Sequence, residues 1–560
     1  MYLHHSVILA QAAEPATKAA APVTPLIIIV AYLGLLLGLA LFSGRLFRGT
    51  SKDYFVASHS IGPFMLLMSV FGTTMTAFAL VGSTGKAFQK GVGTYGLMAS
   101  SSGLVHAACF FLIGIKVWAI AKRHGYVTQI QFFRNRFESS NLGYLLFPIL
   151  VLLVIPYLLI GVIGSYRVLG PMTSGMFPSL FPATGPLDGS VPPWIIGLVI
   201  CGVVLAYIFA GGSRAAAWAN TFQTLVFMAM GVLAFIIISN ALGGLGAAIE
   251  QANPAHLVRT PTEMGIQAPS GAFEREVGIP PLQFLTYMFI PLSVGMFPHL
   301  FQHWLTAKSA KSFKLTVIAH PLCIMVVWVP CVLIGLWATG VFTPNALDNW
   351  PPPVVTIMSG AEDAGVGKVL SVVIKFLVAN PILVGLVTAG ILAAIMSSLD
   401  SQFLCLGTIF TNDVVLHNQP EGKFSDKQIV LIARGFVVAV VLLTYVLSLV
   451  LKDVQNVFDL AIWSFSGFAA LTSLVFCALF WKGATKAGAY ACVIAVAVSW
   501  FYFFAKAGWG GEYTVFSSAE RSDEGVMPVA ICFFLGLIAM IVVSLFTKKP
   551  SQETIRKFFP

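Results

Sequence analysis

The chain has 560 residues, of which 58% are hydrophobic and only 10% charged, with a net charge of +10. Soluble domains carry about 25% charged residues, so this composition excludes a soluble globular protein and indicates a multi-pass membrane protein. The basic excess needs no nucleic-acid partner, because loop charges that set membrane orientation account for it.

Residues 1–24 read as an Ala/Pro-rich tail without the basic start and long apolar core of a signal peptide. Apolar stretches of about 20 residues, enough to cross a bilayer, follow near 25–43, 61–85, 94–120, 143–165, 193–211, 217–241, 280–305, 315–340, 382–412, 428–450, 454–481, 487–506 and 526–547. This predicts an all-α integral membrane protein of 13 transmembrane helices, a single transmembrane domain over 25–547 and a cytoplasmic tail over 548–560. A shorter apolar helix near 367–378 is expected at the surface.

With the N-terminus outside, alternate loops are cytoplasmic and carry most of the Lys and Arg, among them Arg45, Arg48, Lys122, Arg123, Arg134, Arg136, Lys308, Lys423 and Lys482. That bias sets an inside C-terminus and a multi-pass protein of the plasma (inner) membrane. Lys122, Arg123, Arg134 and Arg136 read as topogenic charge rather than ligands. The eight cysteines lie in apolar segments without CxxC or other metal spacing, so neither a disulfide framework nor a structural metal is expected.

Several spans are interrupted. The second reads Gly72-Thr73-Thr74-Met75-Thr76 at mid-span, the seventh Gly295-Met296-Phe297-Pro298-His299, and the eleventh Ser464-Phe465-Ser466-Gly467. Irregular backbone at membrane depth is tolerated only where it is buried in protein or lines a cavity. Spans 2 and 7 are five apart, so their breaks suggest an inverted repeat of spans 2–6 and 7–11, with span 1 and spans 12–13 added.

The ninth span carries Ala394, Ser397, Ser398 and Ser401 on one helical face, with Asp400 at its edge as the only charge between Phe376 and Asn412. Ser in membrane helices commonly serves close packing, whereas a carboxylate at this depth is costly and marks an ion or substrate path. A Na⁺ site needs about five or six neutral oxygens. The break in span 2 frees carbonyls near Gly72 and Met75; Ser397 and Ser398 offer hydroxyls and Ala394 a carbonyl. Thr73, Thr74 and Thr76 are candidates for lining a solute site, as are His299, Trp463, Ser464 and Phe465. His299 and His303 are spaced for a metal but lack a third ligand.

Tyr54-Phe55-Val56-Ala57-Ser58-His59-Ser60, Gly211-Gly212-Ser213-Arg214 with Trp218, Asn220 and Gln223, Thr306-Ala307-Lys308-Ser309, and Ala394 to Asp413 with Ser397 and Ser398 together resemble the sodium:solute symporter family. The likeness spans about 54–480. It implies the LeuT-type five-plus-five inverted repeat and Na⁺ as coupling ion, with no organic cofactor. By motif position it puts the shared Na⁺ site on Gly72, Met75, Ala394, Ser397 and Ser398. Many members have Trp-Thr-Asp where this chain has Trp218-Ala219-Asn220, and that Asp helps hold a second Na⁺ in some. Here Asp400, with Ser401, is the candidate replacement from the facing span. Phe297-Pro298-His299 is closer to proline- and pantothenate-type members than to sugar transporters.

The expectation is a Na⁺-coupled secondary symporter importing a small carboxylate-bearing solute: an amino acid, pantothenate or a monocarboxylate. Its partners are that solute and the lipid bilayer, with no nucleic acid and no obligate protein partner. The alternatives are an H⁺-coupled permease of the same fold using Asp400, and a transporter-like sensor. No HExxH or GxSxG motif and no paired core carboxylates suggest an enzyme.

Overall fold

The computed structural model describes residues 21–45, 47–182, 187–258, 278–341, 367–420, 422–453, 457–511, 513–516 and 525–559. The tail expected over 1–24 lies almost wholly outside them.

The chain runs through helix α1 (Thr24–Gly44) and a short α2 (Ser51–Val56), whose start is fixed by the Thr50 hydroxyl accepting from Asp53 N. A broken span follows: α3 (Pro63–Thr74) and α4 (Phe78–Lys90) meet at 56°. Then come α5 (Gly93–His124), the amphipathic α6 (Gln129–Arg136), α7 (Ser140–Thr173) and α8 (Pro193–Ala241). A second broken span joins α9 (Pro281–Gly295) to α10 (Pro298–Thr306) at 47°. The remaining elements are α11 (Phe313–Val341), α12 (Val369–Leu377), α13 (Pro381–Val415), α14 (Asp426–Leu451), α15 (Val457–Phe480), α16 (Lys486–Lys506), α17 (Pro528–Leu545) and α18 (Gln552–Phe558). Pro sits in the first turn of α3, α8, α9, α10, α13 and α17. There its missing N–H costs nothing and its fixed φ suits a helix start.

Among the described residues, ten helices are long and apolar enough to cross a membrane, or twelve when each bent pair is one span. Helix α8 has 49 residues. At 1.5 Å per residue it is about 74 Å long, more than twice a hydrocarbon core of about 30 Å. Its backbone leaves helical geometry at Gly211 and Gly212, where Gly212 has φ 54° and ψ −135°. The thirteen spans read from hydropathy are reached only when α8 counts as two. Gly212 is required twice over: its φ is positive, and a Cβ would lie 2.4 Å from the Tyr54 carbonyl oxygen.

The expectation for 367–378 is corrected. Val369 to Ile374 are all buried, and α12 is tied to α7 by Ser371 Oγ donating to the Arg167 carbonyl at 3.0 Å. Too short to span, and with Ser371 and Lys375 both tied to carbonyls of α7, it is covered by protein rather than laid on the surface.

Among the helices long enough to span on their own, α13 and α15 are the most enclosed, with almost every residue of α15 buried. The two breaks are held near them. Gly161 and Gly164 of α7 admit Leu399 and Ala77, whose atoms lie 2.7 and 2.5 Å from where a Cβ would be. The start of the first broken span is stitched to the end of the second: Ile61 N donates to Thr306 O at 3.1 Å and Lys308 N to Ile61 O at 2.9 Å.

On the predicted cytoplasmic side, α6 is a hub. Buried Arg136 donates to the Ala478 and Trp481 carbonyls at 2.8 and 2.9 Å, satisfying the end of α15. Arg134 pairs with Asp413 at 3.2 Å. Gln129 Nε2 donates to the Met296 carbonyl at the α9–α10 break, 2.9 Å. The two arginines, read from sequence as topogenic charge, therefore hold helix ends. Helix α18 docks on the same element, with Ser551 N donating to Glu138 at 2.9 Å, Lys557 to Asn135 at 3.0 Å, and Phe558 edge-on to Phe132.

Candidate functional site

The break between α3 and α4 falls at Met75, whose extended backbone (φ −91°, ψ 92°) stops the helix. Beyond it Thr76 Oγ1 accepts from Phe78 N at 3.0 Å and restarts the chain as a local cap. Helix α13 lies directly against this break. Ser397 Oγ is 2.8 Å from Gly72 O and 2.9 Å from Ala394 O, and Ser398 Oγ is 3.3 Å from Ala394 O. All five residues Gly72, Met75, Ala394, Ser397 and Ser398 are buried. Gly72 has to be glycine, because a Cβ would sit 2.2 Å from Thr224 Oγ1. Gly72, Ala394, Ser397 and Ser398 thus bring neutral hard oxygens from a broken and an unbroken helix together, the chemistry a small monovalent cation prefers. Met75 adds its freed backbone at the break.

One turn further along α13 lies a second polar cluster. Asp400 is fully buried, and its Oδ1 accepts from Ser401 Oγ at 2.8 Å. The Asn220 carboxamide faces it at 2.9 Å from Oδ2 and 3.2 Å from Oδ1 when Nδ2 is turned towards the acid. That orientation suits a charged carboxylate as acceptor. The opposite one, with Asn220 Nδ2 on Ser401 Oγ at 3.0 Å, leaves the amide oxygen to accept from a protonated acid. His303 Nε2 lies 2.9 Å from Ser401 Oγ. Among the described residues no Lys or Arg forms an ion pair with Asp400. Desolvation leaves such a group to take a bound cation or a proton.

Between the two breaks is a small enclosed cavity. Thr74, Ser102, His106, Tyr157, Tyr287, Ser293 and Trp328 are its polar residues, and Phe78, Phe297 and Phe465 are part of its apolar wall. The space open to the centre of a water molecule is about 30 Å³, room for one or two waters. A solute therefore enters only with movement of the aromatic wall. Of the candidates read from sequence, Thr74 and Phe465 line this cavity. Thr73 is buried beside it, Thr76 caps the break, and His299 is stacked on Phe297 at 5.0 Å and edge-on to Tyr157. Ser464 Oγ is tied to the Leu153 carbonyl at 2.7 Å. Trp463 faces a separate vestibule with Lys86 and Asp459, its indole N–H donating to Gly511 O at 2.8 Å. Sequence reasoning passed over Ser102, His106, Tyr157, Ser293 and Trp328, because single polar residues in apolar helices give no periodic signal.

Ion pairs lie towards both faces. Lys86 of α4 and Asp459 of α15 are 3.6 Å apart on the predicted outer side, above Phe458, Phe78 and Phe465. On the predicted inner side Arg214 meets Asp53 at 2.6 Å, and Asp53 also accepts from Arg48 N and Ser58 Oγ.

Two broken spans, five spans apart, around a buried oxygen cluster and a small internal cavity define a secondary transporter. The chain belongs to the sodium:solute symporter family, whose family model matches residues 54–177 and 190–495. It is a multi-pass membrane transporter and not an enzyme. It is 24% identical over 521 residues to the osmoregulated proline transporter of Bacillus subtilis (strain 168), covering 90% of this chain and 92% of that one. It is also 24% identical over 544 residues to the sodium/proline symporter of Escherichia coli (strain K12), covering 95% of each. Its fold matches the substrate-bound outward-open state of a Na⁺-coupled sialic acid symporter, with TM-score 0.71 at 16% identity over 94% of this chain and 99% of that one.

Proposed function

We propose that the protein is a Na⁺-driven importer of a small carboxylate-bearing solute, proline or a close analogue first among them. The observation that carries this reading is Ser397 Oγ lying between the carbonyls of Gly72 and Ala394, at 2.8 and 2.9 Å. Na⁺ arriving there replaces hydroxyl–carbonyl hydrogen bonds with ion–oxygen contacts to α3 and α13 at once. It therefore stabilises the arrangement in which those helices touch. Solute in the adjoining cavity then meets a prearranged break, and the joint complex turns inward. Each charge moved across 100 mV supplies about 2.3 kcal/mol. Similarity to proline transporters supports the solute class, as does the absence of an acidic side chain from the cavity lining among the described residues.

The test is a thermal-shift screen of purified protein with proline, other amino acids, short monocarboxylates and sugars, each in Na⁺ or K⁺. Na⁺ alone is expected to stabilise the protein, with a further shift from one acid that requires Na⁺, and Ser397→Ala should raise the Na⁺ concentration for half-maximal effect tenfold or more. Equal response in Na⁺ and K⁺ would overturn Na⁺ coupling. A second reading, H⁺ coupling at Asp400, is favoured by the Asn220 amide, which can serve either protonation state. Uptake that is Na⁺-independent and stimulated by external acid would establish it instead.

A further inference from the structure

Two of the central cavity's polar groups come from outside both broken spans and lack a protein partner. His106 on α5 and Trp328 on α11 both line it, at 7% and 4% exposure. Each has a ring nitrogen, His106 Nδ1 and Trp328 Nε1, without a protein hydrogen-bond partner. Buried donors without partners are rare and costly, and an indole N–H can only donate. Behind His106, at a ring separation of 5.3 Å, stands His320, whose Nε2 is 3.3 Å from Thr74 Oγ1. Thr74 Oγ1 in turn donates to the Phe71 carbonyl at 2.8 Å, so this wall is packed onto the last turn of α3 before its break. The cavity also has an aromatic, apolar wall, in which Phe465 meets both Phe78 and Phe297 edge-on.

We infer that Trp328 and His106 form the solute-selecting wall of the cavity, receiving the carboxylate of a small acid on Trp328 Nε1–H and His106 Nδ1–H while the aromatic wall holds its apolar body. This rests on the carboxylate-solute reading above. It gives recognition to α5 and α11 and leaves the α3–α13 contact to the cation. Solute and ion thus touch different residues but share α3: Thr74 borders the cavity, and Gly72, half a turn earlier, borders the oxygen cluster. His320 is a positioning residue that keeps the His106 ring and the Thr74 hydroxyl in place.

The experiment compares acids with their amides. Binding of L-proline, L-alanine and propionate, and of L-prolinamide, L-alaninamide and propionamide, is measured in Na⁺ for the wild type, Trp328→Phe and His106→Gln. Stabilisation by Na⁺ alone serves as the control for an intact fold. The wild type is expected to bind at least one acid and discriminate against its amide. Trp328→Phe, which keeps an aromatic ring, should lose tenfold or more in acid affinity and most of that discrimination, the loss of one charge-assisted hydrogen bond. Its Na⁺ response should be unchanged. His106→Gln should lose acid affinity in the same direction. If the wild type discriminates and both variants still do so with unchanged affinity, this assignment is wrong and the functional reading stands. Loss of Na⁺ and acid responses in parallel would show a merely structural role and also overturn it. If the wild type takes a solute without a carboxylate, the solute class falls, and this inference with it.

Discussion

Asp400 of α13 faces the Asn220 amide of α8, and the proposed second cation site takes its carboxylate from α13. Burial makes that placement testable, because an unpaired charge at this depth is tolerated only with a cation, a proton or strong donors. If Asp400 serves a second cation, Asp400→Asn should lower the number of Na⁺ ions moved per solute, read from the dependence of reversal potential on the Na⁺ gradient in proteoliposomes. Adding Asn220→Asp should restore it by returning the charge to the other helix. Unchanged stoichiometry in Asp400→Asn would make the residue structural. At this scale the sequence was informative where chemistry was concentrated: glycine and threonines at a break, serines on one face, a lone acid. It was uninformative for His106 and Trp328, whose role depends on what faces them from other helices.

Elements owe their positions to a few close approaches. Gly212 interrupts α8 beside Tyr54, so Gly212→Ala combines a positive φ with a contact of 2.4 Å to backbone. It is expected to cost about 2 kcal/mol or more and to lower the melting temperature in detergent by several degrees. A substitution at Gly202, whose Cβ would meet nothing within 4 Å, should leave it unchanged. Span existence was legible because roughly 20 apolar residues have one use in a bilayer. The junction inside α8 was placed correctly between 211 and 217, yet nothing in hydropathy shows that helical hydrogen bonding continues almost through it. Nor did periodicity place α12, since an apolar helix looks the same against lipid as against protein.

Over the whole molecule, transport requires the two faces to open in turn, and each face carries a charged tie. Removing the outer one with Asp459→Asn should favour opening on that side. In a background lacking reactive native cysteines, a cysteine at Ser102 should then be labelled faster by an impermeant thiol reagent from outside; no change would show that the pair does not hold the face shut. The inner tie should respond to acid. Burial alone would raise the Asp53 carboxyl, but Arg214, Arg48 N and Ser58 outweigh it and hold it below its ordinary value of 3.8. A depressed native value adds stability above that unfolded value and loses it as pH falls through the native one. Asp53→Asn should therefore melt earlier than wild type at pH 7, and the gap should narrow as pH is taken below about 4. A gap independent of pH would remove charge from the explanation.

Helix α18 gives this architecture a practical consequence. It rests on α6 through Glu138, Asn135 and Phe132, and α6 in turn holds the carbonyl at the α9–α10 break through Gln129. Anything fused behind Phe559 is thus mounted two contacts from a moving part. A purification handle or fluorescent reporter placed there becomes a load on the mechanism, and one that changes its surroundings as the transporter cycles can report the cycle itself.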